Sequence, residues 1–213
     1  MILVMSRWCF VLLLAGMAWP AMGQSPGPKE QDAQPNRFAL TFKSGDLRLT
    51  DNSQTLSGSD WGFDRSAVNV FGIEGETRLS KEAQGFSIGG ETIYYQNIFR
   101  RASGTPPEEG KMYTRAFLAK SKYYFRQEHA FQPYAGLGFG LVFSDDYSGG
   151  PIRGLANGNG YLGVVGVQLR SERIGFRVEY MALRARLTDN NAQKIDASTR
   201  GILVALSFFL GRR

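Results

Sequence analysis

From Phe38 onward, apolar residues recur at every second position, and no long stretch carries the three-to-four spacing of a helix. A period of two means extended strands with two unlike faces. Eight such runs are expected, over residues 37–49, 66–79, 85–98, 112–125, 131–143, 160–170, 174–187 and 200–210. Most are 11–14 residues long, about twice the usual five or six of a soluble sheet and enough to cross a bilayer at a tilt. The connections 80–84, 126–130 and 171–173 are short, whereas 50–65, 99–111, 144–159 and 188–199 are long and rich in glycine, proline and charge. Long and short alternate without exception, the rhythm of an up-and-down membrane barrel.

The faces are unlike in a telling way. One face of the second run carries Phe71, Ile73 and Leu79, and the other Glu74, Glu76 and Arg78. The third sets Phe86, Ile88 and Tyr94 against Ser87 and Glu91; the fourth sets Phe117, Tyr123 and Phe125 against Lys120 and Lys122. The seventh sets Ile174, Phe176 and Val178 against Arg177 and Glu179. The sixth and eighth runs are apolar on both faces. The first loses its alternation around Ser44–Gly45, where a bulge is expected.

An open sheet leaves unpaired edges that a membrane cannot satisfy, so the expected fold is all-β, an eight-stranded antiparallel up-and-down transmembrane β-barrel. Eight strands enclose a lumen just filled by side chains. Here the filling is Glu74, Glu76, Glu91 and Glu179 against Arg78, Lys120, Lys122 and Arg177, four acids balancing four bases. Buried charges persist only when paired, so a structural plug is expected in preference to an ion pathway.

"PYAGLGFG" places Gly136, Gly138 and Gly140 at strict two-residue spacing with no helix after them. A phosphate cradle needs uneven spacing at a strand-to-helix turn, so the row is expected to face the lumen and leave room for long side chains from other strands. Aromatics near the strand ends, Trp61, Phe63, Tyr94, Tyr113, Phe131, Phe143 and Tyr161, suit interfacial girdles.

Ahead of the strands, Arg7 precedes the apolar run Trp8–Ala18, with small residues at Ala21 and Gly23. The run is too short to span a membrane and reads as a secretory signal peptide over residues 1–23. Residues 24–36, nearly free of apolar side chains, read as a disordered leader, and 37–213 as the barrel domain. Cleavage would remove Cys9, the only cysteine, and leave 24 basic and 19 acidic residues. Loss of Cys9 excludes thiol chemistry and disulfides, and the basic excess says little about partners.

Signal peptide, eight amphipathic strands and "PYAGLGFG" together resemble the small outer-membrane β-barrels: the transmembrane domain of outer-membrane protein A and its X-, W- and opacity-type relatives. The resemblance spans about residues 37–210. It implies residence in a Gram-negative-type cell outer membrane, contact with outer-membrane lipids, a monomer, and a terminal aromatic read by the barrel-assembly machinery. Phe208 and Phe209 stand near the end of the sequence, followed by Leu210–Arg213.

Chemistry is sparse. His129, the only histidine, lies in "RQEHAF" beside Glu128. Lipid A deacylases, which are similar barrels, have a His-x-Ser step where this chain reads His129-Ala130-Phe131. No catalytic residue, cofactor, metal site or nucleic-acid partner is expected, since soft-metal sites need histidine or cysteine clusters and the Asp145, Asp146 and Asp189 turns lack calcium-loop spacing. Arg100, Arg101, Lys111, Arg115, Arg184 and Arg186 flank the long loops and are candidate lipopolysaccharide contacts. The expected function is a non-enzymatic outer-membrane barrel acting in surface interaction, adhesion or envelope integrity. Its rivals are a narrow channel for small or hydrophobic solutes, a lipid A-modifying enzyme, and a soluble exported barrel.

Overall fold

The computed structural model describes residues 38–49, 61–63, 68–79, 85–101, 109–125, 129–146, 155–192 and 194–210, all within one compact unit spanning 35–213. The expected signal peptide and leader lie outside the described residues. Ten strands form: β1 (Phe38–Leu49), β2 (Trp61–Phe63), β3 (Val68–Arg78), β4 (Phe86–Arg101), β5 (Glu109–Tyr124), β6 (Phe131–Asp146), β7 (Leu155–Arg170), β8 (Ile174–Thr188), β9 (Lys194–Asp196) and β10 (Thr199–Leu210). Eight of them close a ring of antiparallel neighbours, β1–β3–β4–β5–β6–β7–β8–β10 and back to β1. The two short strands extend the ladder beyond the ring, β2 on β4 and β9 on β8.

The register fixes the shape. From Val178 the directly opposed residues run through Val204, Ser44, Phe71, Tyr94, Arg115, Phe143 and Asn157, and return to β8 at Thr188, ten residues along from the start. Eight strands with that stagger tilt by about 40° on a backbone radius of roughly 8 Å. Such an interior has room for side chains and little else.

Side chains alternate as the sequence requires. Outside lie Phe71, Ile88, Phe117, Leu137, Phe139, Val178 and Ile202, all exposed; inside lie Glu74, Glu91, Lys120 and Arg177, each at most 5% exposed. The two doubly apolar runs also resolve: Leu162, Val164 and Gln168 of β7 and Leu203, Ala205 and Phe209 of β10 point inward.

Two expectations about the strands are corrected. No bulge occurs at Ser44–Gly45: β1 keeps unbroken register with β10 from Phe38 to Leu49 and with β3 from Phe38 to Leu47. The alternation is blurred only because Ser44 and Asp46, both polar, point outward near the loop end. Strands β4 to β7 are also longer than expected, sixteen residues each, reaching into the long connections. At about 3.3 Å per residue and this tilt they rise close to 40 Å, past a hydrocarbon core of about 30 Å. Strand pairing in water needs no apolar face, so hydropathy does not register the extension.

Candidate functional site

The barrel has a turn end, where the short connections lie, and a loop end, where the long ones lie. All eight lumen charges named from the sequence converge on the turn-end half. Glu74, at mid-strand on β3, is the hub. Its carboxylate lies 2.6 Å from Lys43 Nζ, 2.9 Å from Lys120 Nζ and 3.0 Å from Arg177 Nη1, and it also pairs with Lys122. Glu76 meets Arg177 at 2.5 Å and Lys122 at 3.1 Å, and accepts a hydrogen bond from Tyr124 at 2.8 Å. Glu91 bridges Lys120 at 2.7 Å and Lys43 at 2.6 Å; Glu179 takes Lys43 at 2.6 Å and the Tyr134 hydroxyl at 2.7 Å. Nearer the turn end, Arg78 donates to Gln132 at 2.9 Å and stacks over Tyr124, while Arg177 Nε donates to Gln168 at 2.8 Å.

Lys43 is the residue the sequence reading missed. It sits at the blurred stretch of β1, and its inward direction follows from sharing parity with Ala39, Thr41 and Leu47. It stands opposite Gly72, which has no side chain to obstruct the ammonium's path to three carboxylates. Among the described residues the network therefore holds five bases against four acids, a correction to the expected balance. Tyr124, Tyr134, Gln132 and Gln168 complete it, each at an inward position of its strand.

The glycine row does face the lumen, with different neighbours at each step. At Gly136 a Cβ would stand 2.7 Å from the Ser121 carbonyl and 2.8 Å from Lys122 Cγ, so this glycine admits a long charged side chain as well as the neighbouring backbone. At Gly138 the neighbours are Leu162 and the Ala119 carbonyl, at 3.2 and 3.1 Å; at Gly140 a Cβ would run into the Phe117 carbonyl of β5. There the row serves close approach of backbones instead.

Above the plug the lumen changes character. Leu47, Val70, Ile93, Leu118, Leu162, Met181, Leu183 and Leu203 form an apolar tier, all at most 3% exposed. Closer to the loop end a polar belt follows: Thr114 and Ser144 hydroxyls lie 2.7 Å apart, and Tyr95 donates to the Ala197 carbonyl at 3.0 Å.

The loop-flanking cations whose side chains are described do not form one cluster. The backbone of Arg100 stands opposite that of Glu109 in the β4–β5 ladder, and the side chains of Arg100 and Arg101 lie outside the described residues. Lys111 is exposed on β5, and Arg115 meets Asp145 at 3.6 Å on the surface. Arg184 and Arg186 share a site, an outward groove of about 880 Å³ over β6, β7 and β8. His129 is exposed, and among the described residues no cluster of three or more His, Cys, Asp or Glu is arranged to hold a metal.

No protein-family model and no curated protein matches the sequence. Among solved structures, the barrel is similar to Neisserial surface protein A, at TM-score 0.59 and 11% identity over 81% of this chain and 97% of that one. It is also similar to the outer membrane protease OmpT from Escherichia coli (TM-score 0.46, 11% identity, 85% and 99% covered). A third likeness is to Ail, the attachment invasion locus protein of Yersinia pestis (0.45, 11%, 83% and 99%). Of these, the likeness to Neisserial surface protein A bears on the fold: the chain has the architecture of the small eight-stranded outer-membrane β-barrels.

Proposed function

We propose that this chain is an integral outer-membrane barrel with a charge-plugged lumen, non-enzymatic, acting through its surface or as an envelope component and not as an open pore. The observation that carries the reading is the inverted distribution of polarity. Leu137 is 74% and Ile202 61% exposed, whereas Arg177 and Glu179 are fully buried. Water would favour the reverse, and a lipid solvent favours this. On β6 the outward apolar positions run from Phe131 to Phe143, which at this tilt span roughly 30 Å, the thickness of a hydrocarbon core. The plug supports closure: the space among Glu74, Glu76, Ser87, Gly89, Lys120 and Lys122 is too small for a water molecule.

Membrane fractionation with boiled and unboiled gel mobility tests the first half. The protein should co-fractionate with outer membranes and run faster unboiled; a soluble protein with one mobility overturns the reading. Planar-bilayer recording tests the second, with no sustained conductance expected from the folded chain.

The apolar tier between Leu47 and Leu203 favours one alternative, a narrow path for hydrophobic solutes through the lumen. Uptake of an apolar dye into vesicles carrying the chain, abolished by Leu118→Lys, would support that reading against the closed barrel.

A further inference from the structure

We propose that the outward groove over β6, β7 and β8 binds a phosphorylated glycolipid of the surrounding leaflet, its phosphate on Arg184 and Arg186 and its acyl chains on the apolar wall below. The groove is built by register. Tyr161 of β7 stands directly opposite Arg184, and Asn159 opposite Arg186, while Asn159 also faces Leu141 of β6. All five point away from the lumen. The groove of about 880 Å³ is thus cationic and amide-lined along β7 and β8, and walled by Leu141 and Phe143 of β6 and by Tyr161 of β7.

Three features select the ligand. First, the two arginines stand one outward position apart on the same strand, and no ion pair joins either to a described carboxylate. Asp196, opposite Arg186 in the ladder, is turned to Ser198, whose backbone N–H donates to it at 3.0 Å. Two adjacent guanidiniums that no described carboxylate engages in an ion pair suit a phosphate, which takes forked hydrogen bonds from both. Second, the height is right. Toward the loop end, Phe143 on β6 is followed outward by Asp145, and Tyr161 on β7 by Asn159 and Asn157, so the arginines lie where hydrocarbon gives way to headgroups. Third, Leu141 and Tyr161 are 52% and 58% exposed and continue downward into Phe139 and Val165, a path for acyl chains. A free anion would use the arginines but not that wall, and Asn157 and Asn159 beside them offer amides to sugar hydroxyls.

The inference rests on the membrane-spanning reading, so insertion is scored separately by unboiled gel mobility. Full-length chain folded in detergent micelles is titrated with bisphosphorylated lipid A and followed by native mass spectrometry. Retained lipid on the wild type is expected, with at least a tenfold loss of affinity in Arg184→Gln/Arg186→Gln. Dephosphorylated lipid A and inorganic phosphate should each bind at least tenfold more weakly than the intact lipid. Arg48→Gln/Arg200→Gln removes two exposed arginines that oppose each other on β1 and β10, outside the groove, and should leave affinity within about twofold. Equal losses in both double variants would mean diffuse charge attraction and overturn the site; so would undiminished binding of the dephosphorylated lipid, or inorganic phosphate binding as tightly as the lipid. A wild type that does not show heat-modifiable mobility counts against the membrane reading instead.

Discussion

Lys43 Nζ of β1 lies 2.6 Å from a Glu74 oxygen of β3, although the two residues are not opposed in the ladder: Lys43 faces Gly72, and Glu74 faces Thr41. The contact is diagonal within the lumen, where three further bases reach the same carboxylate. Removing one partner of such a buried set leaves the others uncompensated, at a cost of about 3–5 kcal/mol. Glu74→Gln should therefore lower stability by about that much in urea unfolding of the micelle-embedded barrel. Lys43→Met alone should also destabilise, and the double variant should lose less than the sum of the two. Additive losses would show that the two charges do not act as a unit.

The surface pair Arg115–Asp145 offers the opposite case. Its side chains are 55% and 40% exposed at 3.6 Å, and such pairs contribute about 0–1 kcal/mol, less at high salt. Asp145→Asn should leave the unfolding midpoint nearly unchanged in the same assay, and any small effect should vanish in half-molar sodium chloride. A loss comparable to Glu74→Gln would mean that exposure does not set the worth of charge pairs here.

How far the plug was legible follows from its strands. On β3, β5 and β8 the alternation is clean, so Glu74, Lys120 and Arg177 declare their direction from spacing alone. On β1, outward Ser44 and Asp46 are as polar as inward Thr41 and Lys43, and the period disappears even though the geometry persists. The division of the lumen into a charged half and an apolar half depends on the ten-residue stagger, which places Leu118 and Leu183 at similar heights despite their distance in sequence. The groove is equally hidden, because Asn159 and Arg186 become neighbours only through the β7–β8 register. Periodicity reports which face a residue occupies, not which strand beside it supplies the neighbour.

Glycines on the inner wall should differ sharply in tolerance. A Cβ at Gly140 would meet the Phe117 carbonyl and stand 2.8 Å from Leu118 Cα, both backbone atoms of β5, so only a shift of paired strands accommodates it. Gly163, on the outer face of β7, has nothing within 4 Å of a Cβ. Gly140→Ala should reduce the yield of folded, fast-migrating protein, whereas Gly163→Ala should fold as the wild type or slightly better, since alanine narrows the unfolded ensemble. Gly138→Leu, forced against Leu162 and the Ala119 carbonyl, should fail more completely than either. Normal assembly of Gly140→Ala and Gly138→Leu would remove the packing role of the row.

Leu137 tests the solvent itself. It is the most exposed large apolar side chain described, at 74%, and lies midway between Phe131 and Phe143 on the outward face of β6. If that face meets lipid, Leu137 stands near the bilayer midplane, where an arginine costs about 2–4 kcal/mol. If it meets water, arginine is the more comfortable occupant and the substitution is neutral or favourable. Leu137→Arg is expected to destabilise the barrel in phospholipid vesicles by that amount, measured by urea unfolding followed through tryptophan fluorescence or gel mobility. The same substitution at Leu155, 43% exposed at the loop-end start of β7, should cost about 0–1 kcal/mol, because the penalty falls away toward the interface. Equal effects at the two positions would break the link between depth and cost, and with it the assignment of the outward face to a membrane.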